Sequence, residues 1–218
     1  MIKPEIYVFG TSGFAIEVSE YIKDNDFYEI KGYFDKVNNC DLYLKPFLFD
    51  EDSFEFNGNE NVVLSISDCK IRSGIFSKLK AKGLCFPNII HKTCYVSPLA
   101  KIDEGAILCP FVTVTSNANI GKNFHANIYS YIAHDCVVGD NVTFAPSVKC
   151  NGNVVIEDNV YIGTGAIIFQ GKPDKPLVIG KGSVIAAGSV VTKSVPSGMT
   201  VFGSPAVEFT KENIKRRL

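Results

Sequence analysis

The residue pair that most invites a chemical role is His134 followed directly by Asp135. An imidazole with an ordinary pKa near ~6.5 can take a proton at neutral pH. A neighbouring carboxylate can orient the ring and favour its charged form. The same pair also occurs as a plain surface turn, and the two residues alone leave both readings open. A second candidate is the glycine turn Gly10-Thr11-Ser12-Gly13, followed by Phe14. Backbone N–H groups at the start of a helix favour phosphate, although position 15 is Ala, so a full GxGxxG is absent. A plain strand-to-helix turn is the simpler reading. Asp35 closes the apolar run EIKGYF. His91 and His125 complete the histidines, and His125 precedes His134 by one and a half six-residue repeats. That spacing turns the two rings to different sides and argues against a three-histidine zinc site, whose ligands must converge. No metal is expected.

These residues must be positioned by two kinds of element. The first 85 or so residues alternate strand and helix patterns, which implies a parallel sheet. Strands are expected at 5–9, 29–34 and 61–66, and helices over 14–24 and 69–82, where Ile71, Ile75 and Leu79 recur at fourfold spacing.

From Ile90 the period changes. Apolar residues recur every six positions through Ile168, fourteen in unbroken register, with small or branched residues four places beyond each. After a break at Gly171–Val178 the register resumes at Ile179, Ile185 and Val191. A fixed short period signals a parallel β-solenoid in which each hexapeptide supplies one short strand and one turn. His134, two places after Ile132, then belongs to a turn. The break, with two prolines and its lysines Lys172 and Lys175, reads as an outward loop.

The turns Ile120-Gly121-Lys122-Asn123, Val138-Gly139-Asp140-Asn141 and Ile179-Gly180-Lys181-Gly182 resemble the hexapeptide-repeat acyltransferases, whose β-helices are left-handed. GTSGFAIEV, the YFD strand end, AHDCVVGD and NGNVVIEDNVYIG narrow the resemblance to PglD/NeuD-type bacterial sugar acetyltransferases. The resemblance implies a Rossmann-like nucleotide-sugar domain over 1–87 and a left-handed β-helix acetyltransferase domain over 88–218. It implies a homotrimer with acetyl-CoA in grooves between neighbouring β-helices, and a role in surface glycan synthesis. By the same resemblance His134 is the general base and Asp135 its orienting carboxylate. Thr11, Ser12, Gly13 and Phe14 meet the diphosphate and sugar, Asp35 meets the nucleotide base, and Asn127 lies near the acceptor. Gly152, Thr164 and Ala187 line the CoA groove. Lys36 stands where relatives carry a second acidic residue, and Thr143 where they often carry a second histidine.

The implied activity is N-acetylation of a UDP- or dTDP-linked 4-amino-4,6-dideoxy sugar, with guanine also open. O-acetylation of sialic acid or another sugar, and a catalytically silent β-helix scaffold, are the alternatives. A net charge of −1 without a basic run excludes a nucleic-acid polymer as partner. The seven cysteines, without metal-like spacing, read as small apolar residues of a reducing compartment. MIKPEIYVFG lacks a signal-peptide core and no apolar run is long enough to span a membrane, so a cytoplasmic protein is expected.

Overall fold

The computed structural model describes residues 2–36, 46–48, 52 and 54–216. Cys40 and the end of the basic tail, Arg217-Leu218, lie outside the described residues. The N-terminal unit is a parallel sheet of β1 (Glu5–Phe9), β2 (Glu29–Phe34), β3 (Phe47–Leu48) and β4 (Asn61–Leu64), in the order β3-β2-β1-β4. Helices α1 (Gly13–Asn25) and α2 (Cys69–Ala81) accompany it. Ile6, Val8, Ala15, Val18, Ile22 and Ile30 form one core cluster; Phe9, Phe34, Val62, Leu64 and Leu79 form another. The strand expected over 61–66 stops at Leu64. Ser65 N still donates to the Phe9 carbonyl at 2.8 Å, but Asp68 accepts from the backbone N–H groups of Lys70 and Ile71 to cap α2, and Ser65–Ser67 form the loop that leads to that cap. The short strand β3 had no recognisable alternation to reveal it.

The rest of the chain is a left-handed parallel β-helix with three faces. The first face includes His125–Ala126, Thr143–Phe144 and Tyr161–Ile162; the second, Tyr131–Ile132 and Lys149–Cys150; the third, Asn119–Ile120, Val137–Val138 and Val154–Ile156. Strands eighteen residues apart pair in parallel, as His125 with Thr143 and Tyr131 with Lys149. The sixfold residues point inward as the period requires: Leu108, Ile132, Phe144, Ile162 and Ile185 are buried in one core. Ala126 is the small member of its column, beside Phe124 and Phe144, whose rings meet edge to face at 5.2 Å. Asn117, Asn123, Asp135, Asn141, Asn153 and Asn159 take left-handed backbone conformations at the corners, with φ of 56–62°. Short polar side chains tolerate that region best. Phe111 and Tyr129 adopt it too, stacked at 5.0 Å.

The expected outward loop is present, with Lys172 and Lys175 exposed and bridged to each other, and Leu177–Ile179 returns to the third face. The final strands, Thr200–Phe202 and Val207–Glu208, close the first face as an antiparallel pair before the short helix Lys211–Lys215. Among the described residues, no helix is long and apolar enough to cross a membrane.

A buried arginine is prominent among the side chains that fasten the two units. Arg72 of α2 is fully buried and donates to the carbonyls of Ile66, Ser67, Asn123, Asn141 and Val142 and to Thr143 Oγ1. Burial lowers its pKa to about 10, which still leaves it charged at neutral pH. The convergent carbonyl dipoles replace the water it lost.

Candidate active site

His134 follows Tyr131–Ile132 at the corner where the second face turns into the third. Its Nδ1 lies 2.7 Å from Asp135 Oδ2, and Asp135 Oδ1 accepts from Asn117 Nδ2 at 3.0 Å. Asn117 is one coil earlier at the same corner, and both it and Asp135 have left-handed backbones. Hydrogen bonds from His134 and Asn117 hold the Asp135 carboxyl below its usual pKa, so it is ionised near neutrality. An ionised carboxylate only accepts, so the ring proton belongs on Nδ1 and Nε2 carries the lone pair. The side chain of His134 is half exposed. The ring lies over Gly152 on the next coil: a Cβ at Gly152 would be 2.6 Å from both Cε1 and Nε2. The missing side chain of Gly152 makes room for the imidazole.

The second constellation lies at the carboxyl ends of β1, β2 and β4. The chain builds β2 on one side of β1 and β4 on the other, and an open parallel sheet forms a crevice at such a switch point. A cleft of about 450 Å³ opens there, lined by Gly10, Ser12, Asp35, Lys36, Ser65 and Ser67. Gly10 has φ +111°, and a Cβ on it would come within 2.9 Å of the Ser65 carbonyl oxygen, so only glycine fits. Ser12 is the N-cap of α1 without a side-chain cap bond. Asp35 Oδ2 accepts from the Thr11 backbone N–H at 2.9 Å and from Thr11 Oγ1 at 2.8 Å, while Oδ1 accepts from Lys36 N at 2.7 Å. Asp35 therefore ties the glycine turn to the end of β2 while its edge faces the cleft.

Phe14 leaves that turn towards the β-helix, where its ring lies 5.6 Å from His125. Phe14, Ser67, His125, Asn127 and Thr143 surround a small cavity between the units. Asn127 Oδ1 accepts from the Ile128 N–H. Ser67 borders both the cavity and the cleft. Thr164 and Ala187 are exposed at the corner between the first and second faces, where Gly188 N donates to the Thr164 carbonyl. Gly152 stands at the next corner, so one chain does not bring these three together. His91 is buried at the entry to the first coil, with Nδ1 2.8 Å from Thr93 Oγ1. Sequence reasoning missed Asn117 and Ser67. Asn117 carried a usable signal, lying one eighteen-residue coil before Asp135; Ser67 carried none.

The PglD N-terminal domain family matches residues 5–79, and the bacterial transferase hexapeptide family (six repeats) matches residues 117–152. GDP-perosamine N-acetyltransferase of Escherichia coli O157:H7 is 53% identical over 148 residues, spanning 68% of this chain and 67% of that protein. The structure of WeeI from Acinetobacter baumannii AYE superposes with a TM-score of 0.86 at 43% identity, over 95% of this chain and all of that one. PerB from Caulobacter crescentus, solved with CoA and GDP-perosamine, shares the fold at a TM-score of 0.85 and 22% identity, over 96% of this chain and 99% of that one. With the sheet, the three-faced coil and the histidine corner in place, these likenesses identify the chain as an acyltransferase belonging to the PglD/NeuD-type sugar acetyltransferases of the hexapeptide-repeat left-handed β-helix family.

Proposed function

We propose that this chain transfers the acetyl group of acetyl-CoA to the amino group of a GDP-linked 4-amino-4,6-dideoxy sugar, with His134 as general base. The observation that carries the proposal is the oriented imidazole: Nδ1 bound to an ionised Asp135, the half-exposed ring seated over Gly152, and Nε2 left as the free lone pair. An amine attacks a thioester only with a free lone pair. Nε2 takes the proton as nitrogen bonds to the thioester carbonyl, and Asp135 stabilises the imidazolium. Collapse of the tetrahedral adduct breaks the C–S bond, and the imidazolium returns the proton to the departing CoA sulfur.

The cleft at β1, β2 and β4 would take the nucleotide, with Thr11, Ser12, Gly13 and Phe14 along the diphosphate and sugar and Asp35 towards the base. Asn127 would face the acceptor. Of the three bases the sequence left open, uracil, thymine and guanine, the 53% identical GDP-perosamine N-acetyltransferase supports guanine. Within one chain His134 stands at the corner between the second and third faces while the cleft belongs to the N-terminal unit, and Gly152 stands at a different corner from Thr164 and Ala187. A homotrimer, in which one protomer's corner meets its neighbour's cleft, would bring them together and complete the acetyl-CoA groove.

The test is a panel of GDP-, UDP- and dTDP-linked amino sugars, with sialic acid, each incubated with acetyl-CoA while free thiol is followed. GDP-perosamine should be acetylated at nitrogen with the highest kcat/KM. Preference for a UDP or dTDP sugar would overturn the choice of base, and transfer to a sialic acid hydroxyl alone would overturn the reaction class.

A further inference from the structure

We propose that His125, which the general-base mechanism leaves unused, recognises the hexose of the acceptor by direct hydrogen bonding and so determines sugar specificity. The inference rests on the nucleotide-sugar reading above. His125 is 2% exposed, and neither ring nitrogen has a hydrogen-bond partner. Buried polar atoms are nearly always satisfied, and an orphan calls for an absent partner. The ring borders the cavity between the units, about 110 Å³, together with Asn127, Thr143, Phe14, Ala145 and Pro146. That space suits one edge of a hexose and is too small for a nucleoside.

The position relative to the cleft gives the ligand its identity. The cavity and the larger cleft share Ser67, and the start of α1 separates them, with Ser12 bordering the cleft and Phe14 the cavity. A ligand with its nucleoside in the cleft and its diphosphate at the start of α1 would carry its next group past Phe14 towards His125. In a nucleotide sugar that group is the hexose. The walls are matched to a deoxyhexose: Phe14, Ala145 and Pro146 are apolar, as is a 6-methyl group, and His125 and Asn127 are polar. Burial, and secondarily the Arg72 charge, keep the imidazole neutral. A neutral imidazole offers one donor and one acceptor, the complement of a sugar hydroxyl. Thr143 cannot take this role as freely, since its hydroxyl already accepts from Arg72 and donates to the Ser67 carbonyl.

The deciding experiment compares equilibrium binding of GDP and of GDP-perosamine to the wild-type protein and to His125→Phe, a ring of similar size without polar atoms. The variant should lose about tenfold or more in affinity for GDP-perosamine and keep its affinity for GDP, because only the sugar contact is removed. In turnover the loss should fall on KM for the nucleotide sugar and leave KM for acetyl-CoA unchanged. His125→Gln, which keeps a donor and an acceptor, should recover part of the loss. Independently of any variant, the imidazole nitrogen resonances of His125 should shift with GDP-perosamine and not with GDP. Equal losses for both ligands, no loss, or unmoved resonances would each overturn the proposal. A wild-type protein that binds GDP but not GDP-perosamine would overturn the functional reading itself, and this inference with it.

Discussion

Two histidines nine residues apart in one β-helix occupy opposite electrostatic settings. His134 stands on an open corner, half exposed, with an ionised carboxylate on one nitrogen and Gly152 beneath the ring. His125 stands on a wall roofed by the N-terminal unit, without a partner, near the buried charge of Arg72. In the first setting a carboxylate stands ready to compensate the charge that develops on the ring during proton transfer; in the second, burial and then the Arg72 charge disfavour the charged ring. A residue that must accept and return a proton needs the former. A residue that reads uncharged sugar hydroxyls is better served by the latter, where each hydrogen bond forms in a low-dielectric site. The β-helix makes this division possible because successive corners and faces are separate environments a few residues apart.

The sharpest way to break the comparison is to remove each ring. His134→Ala should lower kcat by about 10²–10⁴-fold and leave KM for acetyl-CoA near normal, since the lost interaction is made in the transition state. Its side chain fills no core space, so the melting temperature should hold. His125→Phe should do the reverse, acting on KM for the nucleotide sugar. A His134→Ala enzyme within about threefold of normal kcat would end the general-base assignment.

A smaller effect tests the seat of the base rather than the base. Gly152 does not have a positive φ, so alanine is acceptable to the backbone there. Its Cβ would nevertheless fall 2.6 Å from the His134 ring. The exposed ring would yield by swinging away, and its bond to Asp135 would be lost. Gly152→Ala should therefore reduce kcat by about tenfold or more with little change in thermal stability, as expected when a catalytic group is displaced by about an ångström. Unchanged kcat would show that the ring finds its working position without the glycine.

Much of this arrangement was legible in the sequence, for physical reasons that also mark where legibility stopped. The coil was readable because its side chains obey a short period with one inward residue per strand, so Ile132 fixed His134 on a turn without knowledge of anything distant. The ends of β1 and β2 were readable because Gly10 and Asp35 interrupt apolar runs. The burial of His125 was not readable. It depends on α1 and α2 folding back over the first face, a contact between residues 51 to 111 positions apart, as Arg72 to Asn123 and Phe14 to His125. Nothing local in Phe14 or Arg72 announces that packing. The separation of Gly152 from Thr164 and Ala187 could have been counted, since twelve residues is two-thirds of a coil, yet resemblance alone grouped them.

The smallest effect separates the two histidines without any ligand. As pH falls through about 6.5, His125 in an unfolded chain takes up a proton, whereas in the folded protein burial and Arg72 hold its pKa well below that value. The unfolded state then binds more protons, so folding stability must decline with acidification, by at most about 1.4 kcal/mol per pH unit below about 6.5. The carboxylates with lowered pKa values, Asp52, Glu60, Asp135 and Asp158, contribute in the same direction only at more acidic pH, near the ordinary carboxylate range. The interval between pH 7.5 and 5.5 lies above that carboxylate range, and the His125 contribution is read as the difference between the wild-type protein and a variant without the ring. Denaturant unfolding at fixed protein concentration should show the wild-type protein losing about 1 kcal/mol more stability than His125→Phe between the two ends of the interval. If His125→Phe retained the full slope, the roofed imidazole would be accessible to protons, and the contrast between the two settings would fail.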